Sequence, residues 1–397
     1  MMEGDVCPGE VKISRNWGSM ADWRHEIRLT GRKSVHGSTM ERAQLSLGPN
    51  LEAIWGMSGK DFRRSSSLDS PIHPCATIRN TPKPTSVQSV AMFSDTPALS
   101  APDPAVGQET YANSRRDMVM TEEMKRVHQY YSPNDLYNQI ISGLEELGKD
   151  LSNVTLDDLQ PVDEFHIRGD TATKELIELS GFTPDMHVLD VGCGIGGSTR
   201  RLSHETGCRV TGVDLSDEYI DVAHRLTRLL GMNEWVRFHA ASALELPFED
   251  DCFDGVWSLQ MNMNVNDKLA WLKETFRVLK SGGRAVLYEV CGHKNSPPHY
   301  PVPWAQDGSM SFLVPPDTFH DVITAAGFDV IVWNDKTDLA QKAFAQVTEP
   351  AGPPELPALG VYMLVGEDIK TKAFNLRRNL EEERVSLIET LLGKPGP

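Results

Sequence analysis

No stretch of about eighteen consecutive apolar residues occurs in the 397-residue chain, so no segment reads as a membrane-spanning helix and no stable membrane insertion is expected. Basic residues are outnumbered: 39 Lys and Arg stand against 56 Asp and Glu, a formal net charge of −17. That balance argues against a nucleic-acid partner, because sequence-independent affinity for a phosphate backbone needs Lys and Arg. Cysteine is sparse. Cys7, Cys75, Cys193, Cys208, Cys252 and Cys291 show no C-x-x-C spacing, so we expect reduced thiols, no disulfide framework and no metal site. The first residues lack the apolar run of a secretory signal. Glu3, Asp5, Glu10 and Asp22 speak against a mitochondrial transit peptide, leaving a cytoplasmic location as the expectation and a mitochondrial one as the alternative.

What is present divides near residue 118. Residues 1–118 are rich in Ser, Pro, Gly and Thr and show no sustained apolar period. Such a segment buries too little surface to offset its ordering entropy, so we expect it to be disordered or weakly structured. Trp17, Trp23 and Trp55 are the counterweight, and a short helix around Asn50 to Trp55 stays open. Residues 119–397 read as one domain. Met118 to His128 and Leu136 to Leu147 have helical spacing, and Thr171 to Ser180 reads as an amphipathic helix closed by Gly181.

The most informative run is VLDVGCGIGG at 188–197: a strand, a tight glycine turn and, from Ser198, a helix start. Such a turn lets a ligand approach bare backbone beside the free N–H groups of a helix end. Gly192, Gly194 and Gly197 satisfy G-x-G-x-x-G, which nicotinamide-binding folds share. Asp214 ends a second strand about twenty residues on, where a carboxylate can accept both hydroxyls of a ribose. Capping the next helix is its alternative, in competition with Ser216. Asp190 separates the cofactor classes. A carboxylate two residues before Gly192 repels a pyrophosphate and welcomes a cation, which disfavours an NAD-dependent oxidoreductase. Bracing the turn is the alternative for Asp190.

Leu189 to Gly197, LDVGCGIGG, resembles motif I of the class I S-adenosylmethionine-dependent methyltransferases. Further stations follow in order. Ala243 to Trp257, ALELPFEDDCFDGVW, resembles the stretch between strands three and four. Phe276 to Gly283, FRVLKSGG, resembles the helix end and turn before strand five, which then reads from Arg284 to Val290. The resemblance covers about residues 125–395 and points to the small-molecule, type 11-like branch. Pro301 to Trp304 with Ser311 to Leu313 is similar to the substrate loop of sarcosine/dimethylglycine N-methyltransferases.

The resemblance implies an α/β fold: a Rossmann-like, seven-stranded, mainly parallel sheet with helices on both faces and an N-terminal helical cap. Val385 to Leu392 is the expected antiparallel last strand, with Val361 to Val365 as its rival. It implies S-adenosylmethionine as cofactor and a small-molecule acceptor, nitrogen slightly favoured over oxygen, sulfur or carbon. A cofactor-binding but inactive regulatory or scaffold protein is the other alternative. For the cofactor we single out Asp190 and the Gly192, Gly194 and Gly196 turn at the methionine part, with His166 of the FHIRG element nearby. Asp214 falls to the ribose, Leu215 to the adenine face, and Ser242 and Ala243 to the adenine edge. Ser242 stands where the family usually has Asp.

Methyl transfer needs donor and acceptor held in line, and a base only when the acceptor starts protonated. Gln260, just past strand four, reads as facing the transferring methyl, with Asn262 and Asn264 as polar lining. Glu289, near the expected end of strand five, reads as pointing into the cavity mouth. His293 and His299 are the candidate bases, and Tyr300 and Trp304 a candidate wall. A solvated strand end is the alternative for Glu289, and an ordinary polar loop or surface lid for the others.

Overall fold

The computed structural model describes residues 120–396, except 294, 295, 353 and 354. The expectations for residues 1–118, including the helix around Asn50 to Trp55, lie outside the described residues. Helix α1 (Glu122–Tyr130) starts on Thr121, whose Oγ1 accepts from the Met124 N–H at 3.2 Å. It is followed by α2 (Leu136–Glu146), α3 (Leu156–Asp163) and α4 (Gly169–Ser180). Then come β1 (His187–Val191), α5 (Gly197–Thr206), β2 (Arg209–Asp214), α6 (Asp217–Leu229), β3 (Val236–Ala240) and β4 (Phe253–Leu259). The chain continues through α7 (Lys268–Val278), β5 (Leu279–Gly292), α8 (Pro316–Ala326), β6 (Asp329–Asp335) and α9 (Thr337–Phe344). It closes with α10 (Tyr362–Val365), α11 (Ile369–Glu381) and β7 (Val385–Gly393).

The seven strands form one sheet in the order β3-β2-β1-β4-β5-β7-β6. All neighbours pair in parallel except β7, which is antiparallel to both β5 and β6. Side chains of a strand alternate between its two faces. Val188, Val210, Trp257, Val286 and Tyr288 therefore enter one core, and Leu189, Val191, Val213, Val256 and Leu287 enter the other. Helices cover both faces, as the near-continuous apolar strands require.

Three differences from the sequence reading have local causes. Val361 to Val365 is not a strand: Tyr362–Val365 is a helical turn that buries Met363, Leu364 and Val365. Strand five starts earlier and ends later than expected, running Leu279–Gly292. A register shift against β4 between Phe253 and Gly255 takes up the Gly282–Gly283 turn. Helix α3 is not among the expected elements: Pro161 lies inside it and argues against a helix from sequence, although Thr155 and Asp158 form a reciprocal capping box at its start.

Candidate functional site

The strand order reverses between β1 and β4, and ligands of open α/β sheets bind at such a switch point, beyond the carboxyl ends of the strands. A cavity of about 390 Å³ lies there. The Gly turn after β1, the ends of β2 and β4 and the segment after β3 form its floor, and α1 covers it with Thr121, Glu123, Met124 and Val127.

Gly192, Gly194 and Gly196 all have positive φ, 80°, 55° and 82°. A Cβ on Gly192 would stand 2.4 Å from the Met261 Cγ, so only glycine fits. A Cβ on Gly194 would meet nothing within 4 Å, which leaves a cradle of bare backbone facing the cavity. Asp214 closes the turn. Its Oδ2 accepts from the Gly194 N–H and its Oδ1 from the Ser216 N–H, each at 2.9 Å. Burial pushes its carboxyl up while these backbone donors pull it down, the net direction being up. The cap of α6 is Ser216, whose Oγ accepts from the Tyr219 N–H at 3.2 Å, so Asp214 is not needed as one. Leu215, Ser242 and Ala243 line the cavity beside it. The Ser242 Oγ accepts from the Leu244 N–H at 3.1 Å.

Asp190 sits elsewhere than expected. It is buried under the turn, off the cavity wall, and accepts from the Thr199 hydroxyl at 2.6 Å. Burial pushes its carboxyl up to about 7. His166 does line the cavity. Its Nε2 lies 3.1 Å from the Thr173 Oγ1, which donates to Glu164 at 2.7 Å. With the hydroxyl proton so committed, the imidazole must carry its proton on Nε2. Burial lowers His166 to about 4, so it is neutral and a weak base.

Gln260 lines the cavity in a left-handed conformation, φ 50°. Among the described residues, its Nε2 is the one buried polar side-chain atom on this wall without a hydrogen-bond partner. Asn264 is on the wall but fully engaged, donating to the Trp304 and Met310 carbonyls and accepting from the Tyr131 hydroxyl at 3.1 Å.

The remaining acceptor-side expectations are corrected. Glu289 does not reach the cavity mouth: it is fully buried and accepts from the Met261 and Asn262 N–H groups. His293 is exposed and off the wall. His299 turns away to α11, where its Nε2 pairs with Glu382 at 2.7 Å. Asn262 is buried and donates to the Val290 carbonyl instead of lining the cavity. Trp304 is packed into the core with its indole N–H on the Ser311 hydroxyl, and Tyr300 is likewise off the wall. In their place stand Phe312, from the segment similar to a substrate loop, and residues the sequence did not single out: Glu123 and Met124 on α1, Asp267 at the α7 cap and Val265. No Lys or Arg lines the cavity among the described residues.

One buried pair anchors the wall. Asp163 accepts two hydrogen bonds from Arg200, at 2.7 and 2.8 Å, and Arg200 also donates to the Ile195 carbonyl inside the Gly turn. No group of His, Cys, Asp and Glu suited to a metal occurs among the described residues, and none of their helices is long and apolar enough to cross a membrane.

Residues 189–287 match a family model described as a methyltransferase domain. The chain is 29% identical over 215 residues to methyltransferase GfsG of Streptomyces halstedii, covering 53% of this chain and 74% of that protein. It is 27% identical over 228 residues to sarcosine/dimethylglycine N-methyltransferase of Halorhodospira halochloris, covering 57% and 80%. The solved phosphoethanolamine N-methyltransferase 2 of Haemonchus contortus, with phosphomonomethylethanolamine and S-adenosylhomocysteine, shares the fold. Its TM-score is 0.51 at 16% identity, over 68% of this chain and 60% of that one. Relatives named for N-methylation and for O-methylation both occur. The glycine cradle, the carboxylate at the end of β2 and these matches together identify the chain as a class I S-adenosylmethionine-dependent methyltransferase of the type 11 branch.

Proposed function

We propose that this methyltransferase acts on the nitrogen of a small, largely apolar amine that carries no anionic group. The observation that carries this is the sign of the cavity wall: among the described residues Glu123 and Asp267 contribute carboxylates, Met124, Val127, Val265 and Phe312 apolar surface, and no Lys or Arg lines it. A carboxylate or phosphate on the acceptor would have no counter-charge, whereas an ammonium is drawn in. The corrected positions of Glu289, His293 and His299 support the same reading. The ammonium that the wall attracts gives its proton to solvent before transfer and leaves a neutral nucleophile, whereas a phenolate would be an anion beside Glu123 and Asp267, and a sugar hydroxyl needs a base held at its oxygen. The titratable imidazole on the wall, His166, is too weak a base for that.

S-adenosylmethionine, when bound, supplies a methyl group activated by a sulfonium. The chain's own part is to bind, orient and exclude water. In this reading Asp214 holds the ribose hydroxyls, Leu215 packs on the adenine, and Ser242 and Ala243 meet its edge. The Gly192–Gly196 turn and His166 border the methionine part. Among the described residues the cofactor's carboxylate finds no cation on this wall, and the unpartnered Gln260 Nε2–H is the donor that suits it. Asp190 acts through its charge from beneath the turn.

Labelled cofactor offered with apolar amines, phenols, sugars and prenylated quinols tests the acceptor. Transfer to amines, faster as pH approaches the amine's own pKa, is expected. Turnover of phenols alone would overturn the proposal.

The charge on Asp190 sets a pH dependence. With its carboxyl raised to about 7, the free protein holds that proton in acid and must release it to set a negative charge beneath a cationic ligand. The cofactor Kd should therefore fall as pH rises from about 6 to about 8, with proton release on the acid side. The Asp190→Asn variant should be flat over the same range. Calorimetry in buffers of different ionisation enthalpy reads both quantities, and a pH-independent wild-type Kd would remove Asp190 from the site.

A further inference from the structure

The backbone at Gln260 is costly for any residue with a Cβ, and something must hold it. Its own N–H donates to the Tyr288 carbonyl at 2.8 Å. The next two N–H groups, of Met261 and Asn262, both converge on one carboxylate oxygen, the Glu289 Oε2, at 3.0 and 2.9 Å. The Ser258 hydroxyl lies 3.3 Å from the other oxygen and 2.9 Å from the Val191 carbonyl, just before the Gly turn. Glu289 is fully buried, so water does not compete for these bonds. The far end of the same loop is held by Lys268, whose buried Nζ donates to the Asn262 and Val265 carbonyls at 3.0 and 2.7 Å. The Met261 side chain, fixed between these points, closes against Gly192.

We propose that Glu289 is a positioning residue: by gathering the Met261 and Asn262 N–H groups it keeps Gln260 left-handed and so aims its carboxamide at the methionine carboxylate of the bound cofactor. The inference rests on Gln260 as a cofactor contact. Glu289 itself touches no ligand. Its chemistry requires only an acceptor oxygen at that point, and a glutamine there supplies one for both N–H groups while its own NH2 donates to the Ser258 Oγ.

S-adenosylmethionine binding to the full chain, read by calorimetry, tests this in a double-mutant cycle. Gln260→Ala and Glu289→Met are each expected to raise the Kd about tenfold, the size of one lost hydrogen bond to a charged group. The double variant should lose no more than about twofold beyond either single one, because Glu289 works through Gln260. Glu289→Gln should stay within about twofold of wild type. Should Glu289→Met fail to fold, Lys268→Met releases the other end of the loop and runs the same cycle. Losses that multiply in the double variant, or a Glu289→Met protein with wild-type Kd beside a weakened Gln260→Ala, would overturn the positioning role alone. An unchanged Kd in Gln260→Ala would overturn the cofactor contact, and the positioning role with it.

Discussion

Replacing Asp214 by asparagine is expected to weaken S-adenosylmethionine binding about a hundredfold and to leave the protein folded. Both carboxylate oxygens already accept a backbone N–H, from Gly194 and from Ser216. Each retains a lone pair, and two hydroxyls of a ribose match that pair of acceptors. An amide in the same place turns its NH2 toward one of the two backbone donors, so donor meets donor and the Gly194 turn loosens. It also removes the charge that strengthens both ligand hydrogen bonds. Such bonds contribute about 1.5–3 kcal/mol each, and losing one outright while weakening the other accounts for two orders of magnitude. The cofactor analogue without its 2′-hydroxyl separates ligand contact from turn bracing. It should lose affinity against the wild-type protein and little more against Asp214→Asn. If Asp214→Asn binds the natural cofactor within about threefold of wild type, the carboxylate only braces the turn.

The glycine turn and the acid that closes it were legible in the sequence because their determinants are local. A short apolar strand, a glycine turn and an acid at the next strand end each announce themselves within ten residues, and the parallel pairing of β1 with β2 brings Asp214 to Gly194 without further help. The acceptor side depends on longer-range facts. Glu289 was expected at a strand end, but β5 continues to Gly292, so Glu289 pairs with Ile388 of β7 inside the sheet and its side chain lies under the loop. His299 lies beyond that strand, in a loop whose course is set by α11: Asn379 binds both its N–H and its carbonyl. Glu123 sits on the helix expected as a cap, but as one of two acids in its first turn, with Glu122, it reads as helix-start chemistry and not as a wall residue. Asp190 shows a subtler limit. Spacing placed it correctly beside the turn, yet only the Thr199 hydroxyl, one turn into α5, shows that it faces the helix start and not the cavity.

Arg200→Met is expected to lower the melting temperature by about 10 °C, through a loss of roughly 3–5 kcal/mol. Arg200 is fully buried and ties three parts of the structure together: Asp163 at the end of α3, the Ile195 carbonyl in the Gly turn and the Thr227 hydroxyl on α6. Removing it strands the Asp163 carboxylate on a low-polarity wall and leaves the Ile195 carbonyl without that donor. The cost comes mainly from the stranded charge, since a buried pair replaced as a whole by apolar groups is often neutral. The paired variant Asp163→Leu with Arg200→Met should therefore recover most of the melting temperature. Cofactor affinity should not recover with it. The Gly turn still lacks the donor on Ile195, and in the proposed reading that turn borders the methionine part of the cofactor. Stability and binding thus separate: thermal denaturation should rank the paired variant near wild type, and calorimetry should rank it near Arg200→Met. A melting temperature that falls equally in both variants would mean that the loss is packing volume and not charge. An affinity that recovers in step with stability would detach Arg200 from the cofactor turn.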